Sequence, residues 1–187
     1  AINQGTLNNS NYAITYVADN YAITQRPITI TANASQTKIY GNADATFTYA
    51  VEANGANRGL VGSDTFTGAL ARTAGENVGT YAINQGTLNN SNYAITYVAD
   101  NYAITQRPIT LTATSATKIY GNADPSVAVT LTSGSLASVA VTDTLADVTG
   151  TITRSAGENV GSYNILLGSG AQASNYAITY NATNQAF

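Results

Sequence analysis

Acidic side chains are the only groups in this sequence whose type and number could support chemistry at a site. They recur singly at matching places in the two halves of the chain: Asp44, Asp64, Glu76 and Asp100, then Asp124, Asp143 and Glu158. Calcium takes about six to eight oxygen ligands, so one alternative is a calcium site at a module junction, near Asp19 or Asp100. No D-x-D-x-D run is present, however, and each acid stands alone. We therefore expect neither a metal nor another cofactor.

Ion pairs are the simpler interpretation of the same acids. In the first half Asp44 or Glu76 would pair with Arg72. In the second half the equivalent partners are Asp124 or Glu158 with Arg154. We expect these pairs to be partly exposed, and such pairs contribute little to stability.

Catalytic residues are not predicted anywhere in the chain. Histidine and cysteine are absent, and neither lysine lies in an S-x-x-K pattern, so a serine or threonine nucleophile would lack its base. The glycine motifs at residues 40–44 and 74–79 lack the Gly-Lys-Ser/Thr ending of a phosphate loop and are typical of turns. We expect no enzyme activity. A Lys–Asn isopeptide cross-link, with Lys38 and Asn42 or Lys118 and Asn122, is a further alternative.

Composition narrows the remaining classes of function. Charged residues make up 9% of 187 residues and the net charge is −3, without a basic stripe for nucleic acid. The sequence has no run of about 18 apolar residues, the length that a helix needs to cross a membrane. Histidine, cysteine, methionine and tryptophan are all missing, so the chain should respond little to neutral pH changes or oxidants, which suits an extracellular protein.

An internal repeat determines the organisation of the chain. Residues 1–29 recur letter for letter as 82–110, an offset of 81, and KIYGNAD and AGENVG each occur twice. A period of about 80 residues suits a small domain rather than a solenoid unit. Because proline fixes φ, the two Gln-Arg-Pro sequences mark stiff joints.

These joints divide the chain into three parts. Residues 1–26 are the C-terminal third of a preceding repeat, and residues 27–107 are a complete module, called module 1 below. Residues 108–187 are module 2, with an altered final strand: residues 182–187 read ATNQAF where residues 99–104 read ADNYAI.

Within a module the pattern predicts β-structure throughout. Short runs alternate apolar and polar residues, and Gly and Asn clusters separate them; the runs include Ile28/Ile30, Phe47/Tyr49/Val51, Tyr81/Ile83, Tyr93/Ile95/Tyr97 and Tyr102/Ile104. Asn54-Gly55 predicts a hairpin turn, and residues 57–63 predict a short helical turn. The expected fold is all-β, with small sandwich-like modules, immunoglobulin-like or β-grasp-like, arranged end to end.

The order of motifs carries a resemblance to a known family. KIYGNAD near the start of each module, an arginine before AGENVG(T/S)Y, and then NYAITY resemble the MBG-type repeats of the YGX subtype. These repeats form long arrays in large bacterial surface and secreted proteins. The resemblance implies a β-rich extracellular spacer and supplies no ligand.

Three functions remain open at this point. The first is a stalk of an extracellular adhesin or matrix fibre, whose partners are neighbouring modules or identical chains end to end. The second is a filament subunit in which residues 1–26 complete the final strand of another copy. The third is a glycan- or protein-binding module, for which the longer segment 133–147 of module 2 is the place to look.

Overall fold

The computed structural model describes residues 1–181, and strands dominate it. Module 1 contains seven strands: β1 (Arg26–Ala32), β2 (Gln36–Ile39), β3 (Tyr49–Val51), β4 (Ala71–Arg72), β5 (Gly79–Asn84), β6 (Tyr93–Val98) and β7 (Asp100–Thr105). Module 2 contains β8 (Arg107–Thr114), β9 (Ala128–Ser133), helix α1 (Leu145–Thr149), β10 (Thr153–Arg154), β11 (Ile165–Leu166), a 3-10 turn (Ala173–Asn175) and β12 (Tyr176–Asn181). The prediction of tandem all-β modules is confirmed.

Module 1 is built from two sheets that face each other. The first has the order β3-β1-β6, with β1 antiparallel to β3 and parallel to β6; the second has the order β2-β7-β5-β4. Alternation along β1 places Ile28, Ile30 and Ala32 inside, while Thr29 and Thr31 face outward. Tyr102 and Ile104 of β7, in the second sheet, are also buried, so the core lies between the two sheets.

Module 2 repeats the first sheet and reduces the second. Its order β12-β8-β9 reproduces β6-β1-β3, again with one parallel and one antiparallel pair. Within residues 1–181 the second sheet consists of the antiparallel pair β10-β11. The counterpart of β2, residues 116–119, belongs to no strand. The predicted altered final strand falls on residues 182–187, which lie outside the described residues.

The predicted helical turn at residues 57–63 is wrong. Asn57, Gly59 and Gly62 all have positive φ, which a right-handed helix does not allow. The hairpin turn also lies later than predicted, because Gly55 N donates to Arg58 O at 2.9 Å and closes a turn around Ala56-Asn57.

The only α-helix among residues 1–181 is α1, in the longer segment of module 2. It begins with a capping box, in which the Thr144 side chain accepts from the Asp147 amide while the Asp147 carboxylate accepts from the Thr144 amide. Val148 anchors this helix in the core. Within the same residues, no helix is long and apolar enough to span a membrane.

Residues 1–25 contain no strand, although residues 1–24 have the same sequence as 82–105. A single bridge joins Ile2 to Asp19, and the apolar side chains of this segment are largely exposed. In module 1 the same sequence forms the second half of β5 and all of β6 and β7. Strand formation here therefore depends on the rest of the module, as expected for strands that need partners and a buried face.

Candidate functional site at the junction between the modules

Two cations and two acids form a closed ring of ion pairs in module 1. Lys38 Nζ lies 2.8 Å from Asp44 Oδ1 and 2.5 Å from Glu76 Oε2, and Arg72 binds the other oxygen of each acid. The cationic side chains are only 3% and 6% exposed for Lys38 and Arg72. Because a buried cation is costly unless it is paired, this ring, the charge cage, ties the KIYGNAD turn to the AGENVG turn.

Module 2 has the same charge cage in a more open form. Lys118 and Arg154 each bind both Asp124 and Glu158. The predicted acid–arginine pairings are therefore confirmed in both modules. The prediction that these pairs are partly exposed is wrong for the two arginine side chains, which are buried. The lysines were not predicted to take part in these ion pairs. The signal was available, since the lysine of KIYGNAD recurs with the acid six residues later.

The charge cages favour the ionised forms of Asp124, Asp44 and Lys38. Hydrogen bonds from Arg154 and then Lys118 lower the pKa of Asp124 to about 2. Burial opposes ionisation of Asp44, but its bonds from Arg72 and Lys38 outweigh burial and lower its pKa. Burial also disfavours the Lys38 ammonium, yet Asp44 and Glu76 raise its pKa overall.

These charge states bear on the isopeptide hypothesis. An amide bond needs a neutral amine as the nucleophile, whereas the Lys38 ammonium is held charged between two carboxylates. Asn42 does not serve as its partner, because Asn42 Oδ1 accepts from Arg107 in the other module at 2.9 Å. This arrangement does not favour the Lys38–Asn42 cross-link, and both this pair and Lys118–Asn122 stay predictions.

The turn between Lys38 and Asp44 inserts Tyr40 into module 2. The Tyr40 and Tyr176 rings meet edge to face, with centroids 5.5 Å apart at 74°. Tyr40 Oη donates to Gln172 Oε1 at 3.1 Å, while Tyr176 Oη donates to Asp143 Oδ2 at 2.7 Å. Burial, followed by the Asp143 carboxylate, raises the pKa of Tyr40 to about 12.

Gly41 brings the turn against the backbone of module 2. Its φ is +79°, and a Cβ added there would lie 2.3 Å from Ala137 Cβ and 3.0 Å from Ala137 Cα. Ala140 N donates to Gly41 O at 3.1 Å. Only glycine combines this conformation with this close an approach.

Arg107 closes the same contact from the other side. Its Nη1 donates to Tyr40 O at 3.0 Å and to Asn42 Oδ1 at 2.9 Å. Its Nε and Nη2 hold Ser135 of its own module. Arg107 therefore lies in the Gln-Arg-Pro connection between the modules and also in the packing contact between their faces.

A second contact comes from the AGENVG turn, directly after Glu76 of the charge cage. Val78 N donates to Asn175 Oδ1 at 2.9 Å, and Asn175 Nδ2 donates to Asn77 Oδ1 at 3.1 Å. Asn175 is buried, so these bonds satisfy an amide that water does not reach. Sequence reasoning did not predict this contact, although Asn175 is the first residue of the last NYAITY motif.

The two contacts define two complementary surfaces. The distal face of module 1 consists of residues 40–42 with 77–78. The proximal face of module 2 consists of Arg107, residues 137–141 and residues 172–176. One cluster of buried apolar residues runs across both faces, from Ile30 through Tyr40 to Ala137 and Tyr176. The segment 133–147, the place named for a glycan or protein ligand, thus contributes to the module contact.

The remaining acids have local partners. Asp64 accepts from Tyr93 Oη at 2.7 Å, as Asp143 does from Tyr176. Asp19 and Asp100, named for a calcium site, each accept a hydrogen bond from the amide of the next residue. Across residues 1–181 no three acidic side chains come together as a metal site.

The fold and the junction define a class of protein: a tandem array of small all-β modules packed end to end. The sequence model of the MBG domain (YGX type) matches residues 28–103 and 109–185. The chain therefore belongs to the MBG domain family of the YGX type, and the predicted resemblance is confirmed. Comparison with curated proteins and with solved structures gave no match.

Proposed function

We propose that this chain is a spacer in the stalk of an extracellular bacterial adhesin or matrix fibre. Its modules would hold a binding region away from a surface and would perform no catalysis. The observation that supports this most is the apolar cluster that continues from module 1 into module 2 through Tyr40 and Tyr176. Modules that share a core move together, whereas modules on a flexible tether do not.

The link between the modules supports the same proposal. β7 ends at Thr105 and β8 begins at Arg107, which leaves only Gln106 between two strands. Gln106 Nε2 donates to Ser174 O at 3.1 Å, so even this residue is held. A one-residue link lacks the reach of a flexible tether.

The state of the acids favours a structural role over catalysis. A catalytic acid or base needs a pKa near the working pH, whereas the Asp124 pKa is lowered to about 2. Arg58 likewise lowers the pKa of Glu52 to about 2. The absence of oxidisable cysteine and methionine agrees with an extracellular location. Protease treatment of intact cells that produce the protein would test this location.

Small-angle X-ray scattering of the full chain at low and high salt tests the spacer. A rigid junction predicts one maximum dimension at both salt concentrations, because apolar packing holds the faces together and the hydrogen bonds across the junction, including those from Arg107, go to uncharged acceptors. Tyr40→Ala should make the profile that of two independently moving modules, while Tyr120→Ala, at the matching position of module 2, should leave it unchanged. A flexible wild-type profile would contradict the proposal.

A further inference from the structure

Two stretches of module 1 lie side by side between its two ends. The first, called the entry run, consists of β1 and β2 with residues 33–35 between them. The second, called the exit run, consists of β6 and β7 with only Ala99 between them. The chain enters module 1 at the start of β1 and leaves it at the end of β7, so these two runs carry its connections to the residues before and after.

The entry run and the exit run are paired in parallel in both sheets. In the first sheet β1 pairs with β6 through six consecutive residue pairs, which begin with Arg26 and Tyr93. In the second sheet β2 pairs with β7 through four residue pairs, which end with Ile39 and Thr105. The two runs therefore stay together as the chain crosses from one sheet to the other.

Both runs point from the start of module 1 towards its junction with module 2. Arg26 N donates to Asn92 O at 2.9 Å, which holds the start of the entry run beside the start of the exit run. At the other end Tyr40 N donates to Thr105 O at 2.9 Å, and Tyr40 is the residue that packs against Tyr176 of module 2. The runs thus begin together at one end of the module and end together at the other.

This geometry determines how a pulling force acts on the module. Tension in the chain pulls the entry run backwards from its first residue and the exit run forwards from its last residue. Because the two runs are parallel, paired strands are pulled in opposite directions along their own axes. The hydrogen bonds of a ladder connect strands side by side, so this sliding force loads the bonds of both ladders together instead of one after another.

Further bonds hold the entry run from its other side. β1 is the central strand of its sheet and also pairs with β3. Next to that pairing, Gly59 N donates to Pro27 O and Glu52 N donates to Thr29 O, each at 2.9 Å. The inward side chains of β1 are buried, so sliding this strand would also expose apolar surface to water.

The first of the two ladders recurs in module 2. There β8, the strand by which the chain enters, pairs in parallel with β12 through six residue pairs that begin with Arg107 and Tyr176. The residues in this ladder match those of β1 and β6 position by position. Parallel pairing of the entering strand is therefore a feature of the repeat.

We infer that the parallel pairing of the entry and exit runs is a mechanical clamp that keeps module 1 folded while the chain is under tension. To unfold the module from its ends, a force has to slide both ladders at once. The inference rests on the proposed spacer function, because a spacer between a surface and a bound region is pulled whenever the two move apart. It adds a load-bearing role, which holding two regions at a distance does not require.

Optical-tweezers unfolding of the full chain in two pulling directions tests the clamp. The chain contains no cysteine, so introduced cysteines can carry the handles. Handles on Thr24→Cys and Gln106→Cys pull the two runs along their length. Handles on Thr24→Cys and Asn92→Cys pull two neighbouring strand starts apart, which opens the β1–β6 ladder one pair at a time. All three positions are exposed, so urea unfolding should be the same for both variants.

The clamp predicts a clear dependence of force on direction. At one loading rate, pulling through Thr24 and Gln106 should unfold module 1 at a higher peak force than pulling through Thr24 and Asn92. Unfolding between Thr24 and Gln106 should release residues 26–105, whose contour length is about 260–290 Å. Equal peak forces in the two directions would overturn the inference, because forced unfolding would then not depend on how the ladders are loaded.

A pair of proline variants locates the resistance within the module. Proline removes a backbone donor. Since Arg26 N bonds Asn92 O, alternation along the parallel ladder directs the Thr96 amide at β1, and Thr96→Pro removes that bond. Thr73→Pro is the control, because it removes the bond from Thr73 N to Ala82 O at 2.9 Å, outside both runs.

With handles on residues 24 and 106, Thr96→Pro should lower the peak force and Thr73→Pro should leave it unchanged, although both should lower stability in urea. An equal fall in both variants, or no fall in Thr96→Pro, would overturn the clamp. Scattering from the full chain reports the junction between the modules. A flexible scattering profile would therefore end the spacer proposal and leave the force results standing.

Discussion

Gly41 and Gly121 offer a matched test of the junction within a single chain. Both glycines follow the tyrosine of KIYGNAD and have left-handed backbones, with φ of +79° and +88°. Alanine in this conformation costs roughly 1–2 kcal/mol at either site. The surroundings differ: a Cβ at Gly41 would meet Ala137 Cβ at 2.3 Å, whereas a Cβ at Gly121 has no atom within 4 Å.

The difference between the two variants isolates the contact between modules. Overpacking at a close-packed site typically costs about 1–3 kcal/mol, so Gly41→Ala should lower the free energy of unfolding by about 2–5 kcal/mol, the sum of both costs. Gly121→Ala should lower it by only about 1–2 kcal/mol, the conformational cost alone. Urea unfolding of the full chain measures both values.

Amide hydrogen exchange locates the effect. Ala140 N donates to Gly41 O across the junction at 3.1 Å, so Gly41→Ala should speed exchange at Ala140 while Gly121→Ala leaves it unchanged. Equal losses of stability in the two variants, with Ala140 equally protected in both, would refute the packing of this turn against module 2.

Three further results are expected from the same geometry. Tyr40→Ala should cost about 3–5 kcal/mol in urea unfolding, as for other buried aromatic residues, and Tyr120→Ala at most about 0.5 kcal/mol as a surface change; similar losses would contradict the burial of Tyr40. Asp44→Asn should cost roughly 1–3 kcal/mol at neutral pH because it leaves buried cations short of a partner. The pKa of Asp44 is lowered in the folded chain, so its stabilisation is present above about pH 3.8 and is lost as the pH falls through the pKa of the folded state. On acidification the Asp44→Asn variant should therefore lose less stability than the wild-type chain. The pKa values of Tyr40 and Tyr176 are both raised to about 12, so their contribution is present below pH 10 and lost as pH rises from 10 towards 12; tyrosinate absorbance should show late ionisation that Tyr40→Phe reduces.

The alternation of apolar and polar residues predicted the core of module 1 because it indicates which face of a strand is apolar. Ile28 and Ile30 alternate with threonines, and both are buried in β1. The same reasoning applies equally to residues 1–24, where the structure contains no strand. Identical sequences differ here because β1 and β2 flank only the copy in module 1, and sheet formation requires those partners.

The junction could be predicted only in part. KIYGNAD and AGENVG were recognised as turns, and the acids within them were matched to Arg72 and Arg154. These turns pack against module 2 through Asn175 and Ala137, which lie about 100 residues further along the chain. Such contacts are set by tertiary packing, which local patterns do not encode.

Residual dipolar couplings test the central claim most directly, because they report whether the two modules share one orientation in solution. Backbone amides of β1, β5 and β7 in module 1 and of β8 and β12 in module 2 are the probes. A shared core predicts that a single alignment tensor fits both sets of couplings, and that Tyr40→Ala separates them into two tensors. Two different tensors in the wild-type chain would contradict a rigid junction.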